Sequence, residues 1–435
     1  MKAAIVAQPL PIALQPGFRT RVEILRDEHA ALWEATPEEL PNLGPAVGFR
    51  RHFANARAAA HLIDELAAAA GNAPEGEAAR RAWRESLRER LQRFGDARLG
   101  WPAGYRRLVF ADAFFTCSVA FAREARAFDP DLPLDDLWQA LRNVWIGNSL
   151  QMLLDLPVVL NPGLFAYSML YPLTDNLLDA QEVTGGAKRA FNERLGRRLA
   201  GLPVRAADAS EAAVFRLVGR VEEEFPRREF PDVHESLLAI HHGQVLSLRQ
   251  QVDSLTEAEI LAISCEKGGT SVLADLYLLT GTATPAEERF AFGYGVALQL
   301  LDDLQDVERD LAAGHETLFT SAARRGALDG PAARLARFID RVLDSGDFFA
   351  DPGYADRKDL IRRNCRTLLV GAVPEQPRRF SRRFRRRLSR QWPFALRTMR
   401  RLRRRAERRY RQATAEIEAR SRATSLLDRL LAEEG

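Results

Sequence analysis

The chain is 435 residues long, with 46% apolar and 28% charged residues and a formal net charge of +4. That is a globular composition, enough for one large domain or two to three small ones. Three cysteines (Cys117, Cys265 and Cys365), far apart and without CxxC spacing, argue against a disulfide framework or a zinc site.

Residues 1–48 are proline-rich and read as irregular apart from a short helix near 20–35. The apolar run at the start is broken by Pro9 and Pro11 and makes a poor signal peptide. From there on, apolar residues recur at helical rather than alternating spacing. This predicts helices over roughly 50–70, 76–94, 103–126, 134–155, 163–181, 187–200, 208–224, 232–252, 256–281, 285–313, 331–346, 356–371, 378–391 and 393–432. Turn-like separators such as Asn161-Pro162-Gly163 and Asp351-Pro352-Gly353 divide them. Thr256 with Glu259, and Thr284 with Glu287 around Pro285, have the spacing of capping boxes. No alternating β-branched run calls for a strand, and no repeat is visible. The most apolar region, 144–173, is interrupted by Asn148, Asp155, Pro157, Asn161 and Pro162, so it offers no clean membrane span. The expectation is an all-α, soluble, cytoplasmic protein in three parts: 1–48, a helical core over 49–350, and C-terminal helices over 351–435.

Charge is distributed unevenly. Residues 378–411 hold 17 arginines and one acid, Glu407, for a net +16, so the remaining 401 residues carry −12. Within that segment Phe380, Phe384, Leu388 and Trp392 lie at i,i+4 spacing, and Met399, Leu402, Ala406 and Tyr410 form a second stripe. Basic amphipathic helices with aromatics fit an anionic membrane surface, here the inner face of the membrane. Packing of the stripe within the molecule or a homodimer is the competing expectation, and nucleic acid the least favoured.

Two acidic helix faces stand about 125 positions apart. Asp175 and Asp179 end the run Tyr171 to Asp179, and Asp302, Asp303, Asp306 and Asp310 follow the apolar run Phe290 to Leu301. On a helix Asp175 and Asp179 are only about 40° apart, and Asp302, Asp306 and Asp310 form a stripe of about 80°. Like charges at this spacing cost roughly 0.2–0.5 kcal/mol per pair. Carboxylates gathered at the ends of apolar helices therefore call for a counter-charge. Mg²⁺ takes oxygen ligands and is typically held by one or two carboxylates plus substrate phosphates. A solvated acidic face is the plainer alternative.

At these residues the sequence resembles the class I isoprenoid synthases, which include polyprenyl diphosphate synthases, squalene/phytoene synthases and terpene cyclases. The stretch Gly293 to Phe319 is similar to their second aspartate-rich motif, with Gln299, Asp302, Asp303 and Asp306 matching Q-x-x-D-D-x-x-D. Gly314-His315-Glu316-Thr317-Leu318 resembles the following G-K-x-T-L, with His315 in place of lysine. Tyr171 to Asp179 resembles the first motif in its D-[DN]-x-x-D form. The likeness covers about 140–325. The elongases' G-K-x-x-R-P and R-R-G elements and the squalene/phytoene synthases' Y-x-V-A-G-x-V-G stretch are missing.

The resemblance implies an all-α helical bundle with the Arg-rich segment as an extension. It also implies three Mg²⁺ ions bridging the diphosphate of a prenyl substrate, held by Asp175, Asp179, Asp302, Asp303, Asp306 and Asp310. Asp175, Asp179, Asp302 and Asp306 would carry catalysis. The implied reaction is ionisation of an allylic diphosphate followed by cyclisation or rearrangement. Condensation by a prenyltransferase is the alternative, and a non-catalytic membrane- or RNA-binding scaffold the rival from another class.

Lys267, one of four lysines, sits in Glu266-Lys267-Gly268-Gly269-Thr270, where the family's diphosphate-binding K-T/K-x-G-T region falls. Two mid-helix glycines, each costing about 1 kcal/mol against alanine, predict a break whose N–H groups would face the anion. Lys267 and Thr270 are diphosphate candidates there, with a plain packing notch as the alternative. Gln244, in His241-His242-Gly243-Gln244, resembles the family's G-Q helix. Arg194, Arg309 and His315 complete the diphosphate candidates, since arginine suits bidentate phosphate recognition. Phe165, Tyr167, Tyr171, Tyr277 and Phe292 are candidate pocket aromatics able to stabilise a carbocation, although aromatics at helical spacing also build cores.

Overall fold

The computed structural model describes residues 12–72, 74, 76–101, 112–179, 185–251, 254–345 and 354–420, except for the side chains of 70, 71, 77, 175–179, 185 and 413–420. Among the described residues there are seventeen α-helices and no strand. In chain order they are α1 (Pro16–Glu34), α2 (Phe49–Gly71), α3 (Glu77–Phe94), α4 (Asp112–Phe128), α5 (Leu134–Leu153), α6 (Pro162–Asp179), α7 (Gly185–Leu199), α8 (Ala209–Glu224) and α9 (Pro231–Ser247). Then follow α10 (Glu257–Thr280), α11 (Pro285–Gln305), α12 (Val307–Ala313), α13 (Leu318–Arg325), α14 (Asp329–Asp344), α15 (Ala355–Glu375), α16 (Arg382–Arg390) and α17 (Leu396–Arg420). Among the described residues no helix is long and apolar enough to cross a membrane.

The chain forms two compact units, one from residues 1–40 and 113–365 and the other from 41–112 and 366–435. Both units are therefore discontinuous in sequence, whereas the three parts read from the sequence are consecutive stretches.

The axis of the first unit is α10, with sixteen of its 24 residues buried. It starts at a capping box in which Thr256 N–H donates to Glu259 Oε2 (2.9 Å) and Glu259 N–H donates to Thr256 Oγ1 (3.3 Å). It ends at Gly281, whose φ of +72° needs no Cβ. Around it stand α1, α5, α6, α9 and α11. The short helix expected near 20–35 is a 19-residue helix burying Phe18, Val22, Leu25, His29 and Trp33. It is latched to α10 by Arg19 and Arg26, whose guanidiniums lie 2.7 and 3.3 Å from the carboxylate of buried Glu266.

Two local expectations fail. Gly268 and Gly269 do not break α10, which is continuous from Glu257 to Thr280. The glycines are packing notches. A Cβ on Gly268 would lie 2.5 Å from Gln299 Cβ, one on Gly269 2.3 Å from the Phe292 ring, and one on Gly295 only 2.1 Å from the Gly268 carbonyl oxygen. Backbone contact between α10 and α11 replaces the helix restart, so no freed N–H groups face an anion there. The single helix expected over 285–313 is two, α11 and α12, joined at Asp306 with φ −97° and ψ 8°. One helix also lacked a sequence expectation: α13, capped reciprocally by Thr317 and Thr320.

In the second unit α17 lies along α2. Arg405 Nε and Arg409 Nε donate to Asp64 Oδ1 at 3.1 and 2.9 Å. The Arg405 hydrogen bond, with Arg409 beside it, holds the Asp64 carboxyl down at about 2. The start of α2 is tied to the turn between α16 and α17: Val47 N–H donates to the Arg390 carbonyl (2.6 Å) and Asn55 Nδ2 to the Pro393 carbonyl (2.9 Å).

Candidate functional site

The acidic end of α11 is built on two levels. Asp302 is half exposed, and the Arg142 guanidinium of α5 stands 3.6 Å from its Oδ1. Asp303, the next residue, points inward and is 6% exposed. Its Oδ1 accepts from Gln299 Nε2 (2.8 Å) and its Oδ2 from Ser264 Oγ (3.5 Å). The glutamine of the Q-x-x-D-D pattern thus orients a carboxylate. Burial above all pushes Asp303 up to about 7; the Gln299 hydrogen bond and the Lys267 charge oppose this, while Asp302 and Asp310 add to it.

Asp306 occupies the junction, where its own N–H donates to the Asp302 carbonyl (3.0 Å) and its carbonyl accepts from Asp310 N–H (2.8 Å). Burial and then the Asp302 charge raise its pKa, against the pull of Arg309, which hydrogen-bonds its carboxylate. Asp310 is 8% exposed, with His315 Nδ1 3.8 Å away.

Lys267 is half-buried on α10 and contributes to the field at Asp303. Gly243 of α9 makes room for it: a Cβ there would meet Lys267 Cα at 3.0 Å and Thr270 Oγ1 at 3.2 Å. Ser271 follows Lys267 by one turn, and its hydroxyl bonds Tyr171 Oη and lies 3.3 Å from Tyr167 Oη. These two tyrosines enter a small, half-open cleft. Leu170, Leu195, Leu237, Ile240, His241 and Gln244 are among its other walls. The cleft and the Lys267–Asp303 cluster thus share one neighbourhood, bridged by Ser271 and by the Gly243–Gln244 turn of α9.

Several expected residues lie elsewhere or are otherwise engaged. Phe165 packs on Phe121 (centroids 5.5 Å apart), Tyr277 donates to Glu288 Oε1 (2.5 Å), and Phe292 packs on His29 (5.5 Å). All three are core residues away from the cleft. Arg194 Nε donates to both oxygens of buried Glu211 (2.8 and 3.1 Å). Thr270 is fully buried and donates to the Glu266 carbonyl (2.6 Å). Arg309 is exposed and paired with Asp306. Asp175 and Asp179 close α6, one and two turns beyond Tyr171, but their side chains lie outside the described residues.

Residues outside the candidate set read from the sequence also emerge. Arg142 reaches Asp302 across 160 positions. Asp275, fully buried on α10, accepts from Asn143 Nδ2 (3.0 Å), and burial raises its pKa well above the carboxylate range. Burial lowers His241, on the cleft wall, to about 4. Only Ser271 had a usable clue, its i+4 spacing from Lys267.

Among the described residues no three or more His, Cys, Asp and Glu side chains are gathered as a metal cage. A phosphate-bridging Mg²⁺ needs only one or two protein carboxylates, the rest of its shell coming from phosphate and water. Asp302 and Asp306 offer the hard oxygen donors, with Arg142 and Arg309 beside them.

No protein-family model matches the chain, and no curated protein matches it.

Proposed function

We propose that the protein is a Mg²⁺-dependent class I isoprenoid synthase-type enzyme that ionises an allylic prenyl diphosphate. The observation that carries this reading is the gathering of Asp302, Asp303, Asp306 and Asp310 at the end of α11, with Lys267 within the field of Asp303 and with Ser271, one turn on from Lys267, bonded to the tyrosines of the cleft. Such a site suits a ligand with a polyanionic head and a hydrocarbon tail.

In this reading Asp302 and Asp306, with Asp175 and Asp179 from α6, hold the metal side of the diphosphate. Mg²⁺ would supply Lewis-acid stabilisation of the leaving group. Lys267 adds fixed positive charge on a buried helix, where a preorganised charge is worth far more than in water. Asp303, held by Gln299 and Ser264, sets the orientation of that end of α11. The C–O bond breaks heterolytically, and diphosphate leaves with the electron pair. The allylic cation remains among Tyr167, Tyr171 and the leucines. A desolvated ring face stabilises a cation by up to about 2 kcal/mol.

The missing elongase elements favour cyclisation or rearrangement over condensation with a second isoprenoid. Diphosphate release from C10, C15 and C20 allylic diphosphates, with and without Mg²⁺, tests the ionisation. Mass spectrometry of the products separates cyclisation from condensation.

A further inference from the structure

The apolar stripe that the sequence offers to a membrane is used internally: Phe380, Phe384 and Leu388 are 3%, 7% and 0% exposed. The arginines around it remain outside, with Arg382, Arg383, Arg386, Arg387 and Arg390 all exposed. The most exposed large apolar side chains of the described residues are on another helix of the same unit. Phe49 and Phe53, one turn apart at the start of α2, are 74% and 64% exposed, the highest values among the large hydrophobics of the described residues.

Their neighbours Arg50, Arg51 and Arg57 are exposed as well. The hydrogen bonds from Val47 to Arg390 and from Asn55 to Pro393 fix this turn of α2 beside the α16–α17 turn. His52 Nε2, 3.0 Å from the Trp392 carbonyl, adds a third tie. The two phenylalanines therefore do not stand alone. They share a corner with Arg390 and Arg397, both exposed, while Arg405 and Arg409 farther along α17 are taken up by Asp64.

We propose that this corner is a membrane-docking surface for anionic lipid, in which Phe49 and Phe53 insert into the interface and the surrounding arginines take lipid phosphates. Aromatic side chains prefer the interface, and each arginine near an anionic surface adds attraction that falls off within a Debye length. Arginine stems also cover apolar surface while their heads stay in water. The binding is superficial, since among the described residues no helix can span the bilayer. Duplex nucleic acid would satisfy the arginines but leave both phenylalanines in water. The proposal does not depend on the isoprenoid reading.

The test is co-sedimentation of the full chain with vesicles of phosphatidylcholine, with and without phosphatidylglycerol. Wild type is expected to bind only the phosphatidylglycerol vesicles and to come off at high salt. Phe49→Ser/Phe53→Ser should bind roughly tenfold more weakly, with unchanged circular dichroism because both side chains are exposed. Phe53→Trp, read as brominated-lipid quenching beyond that of the six native tryptophans of wild type, reports insertion. Absence of wild-type binding, equal binding to both vesicle types, a double variant that binds like wild type, or no quenching in the Phe53→Trp protein beyond that of wild type each overturns the proposal. So does a duplex oligonucleotide that binds while the vesicles do not.

Discussion

Replacing Gly295 by alanine tests the close approach that sets Lys267 beside Asp303. The new Cβ would sit 2.1 Å from the Gly268 carbonyl oxygen and 3.1 Å from Val272 Cβ. The first neighbour is backbone, so no side chain can swing aside, and α11 must move away from α10 by about an ångström. Overpacking of a close-packed core costs about 1–3 kcal/mol, and the backbone clash belongs in the upper part of that range. Alanine recovers about 1 kcal/mol through helix propensity, which leaves a net loss of about 1–2 kcal/mol. Urea denaturation followed by circular dichroism measures it as a lower midpoint at an unchanged slope. Gly371→Ala is the control: nothing lies within 4 Å of its Cβ, and alanine there should stabilise by about 0.5–1 kcal/mol. If Gly295→Ala is neutral or stabilising like the control, the helices do not meet as described and the placement of Lys267 falls with them.

Three pH-dependent effects follow from the shifted groups. Asp303 holds its proton in the folded protein up to about 7 against an ordinary 3.8, so its contribution to stability is full below pH 4 and is lost as pH rises through 7. Asp303→Asn should therefore be more stable than wild type at pH 8 and equal to it at pH 4, by urea midpoint. His241 works in the opposite direction: buried neutral with a pKa of about 4, it withdraws stability as pH falls from 6.5 toward 4. His241→Gln should flatten part of that acid slope, while His29, His234 and His242, also lowered by burial, keep the rest. Asp64, held at about 2 by Arg405 and Arg409, supports the second unit above pH 4 and ceases to as pH falls through 2. Asp64→Asn should remove that loss and leave a less stable α2–α17 pair at neutral pH, read by thermal melts across pH.

Features encoded within one turn of helix were legible from the residues alone. The capping boxes at Thr256 and Thr284, the buried character of α10 and α11, and the acidic end after Leu301 all follow from i,i+3 and i,i+4 relations. What required a second helix was not. Gly268 and Gly269 look like a break because their cost is local, while their benefit, contact with Gln299 and Phe292, is 23 to 31 positions away. Helical spacing places Tyr171, Tyr277 and Phe292 on buried faces equally, and only the neighbouring helices separate a cleft wall from a core. The arginine-rich segment misleads for the same reason: the burial of Phe384 and Leu388 and the Asp64 partner on α2 leave no trace in the charge pattern.

The most direct measurement is diphosphate release by the purified chain from C10, C15 and C20 allylic diphosphates. Wild type is expected to release diphosphate from at least one of them, only when Mg²⁺ is present. Asp175→Ala and Asp302→Ala should each lose the activity while keeping the wild-type helical spectrum. No release at any chain length, or release by either variant at the wild-type rate, would contradict the assignment of these carboxylates to ionisation of a prenyl diphosphate.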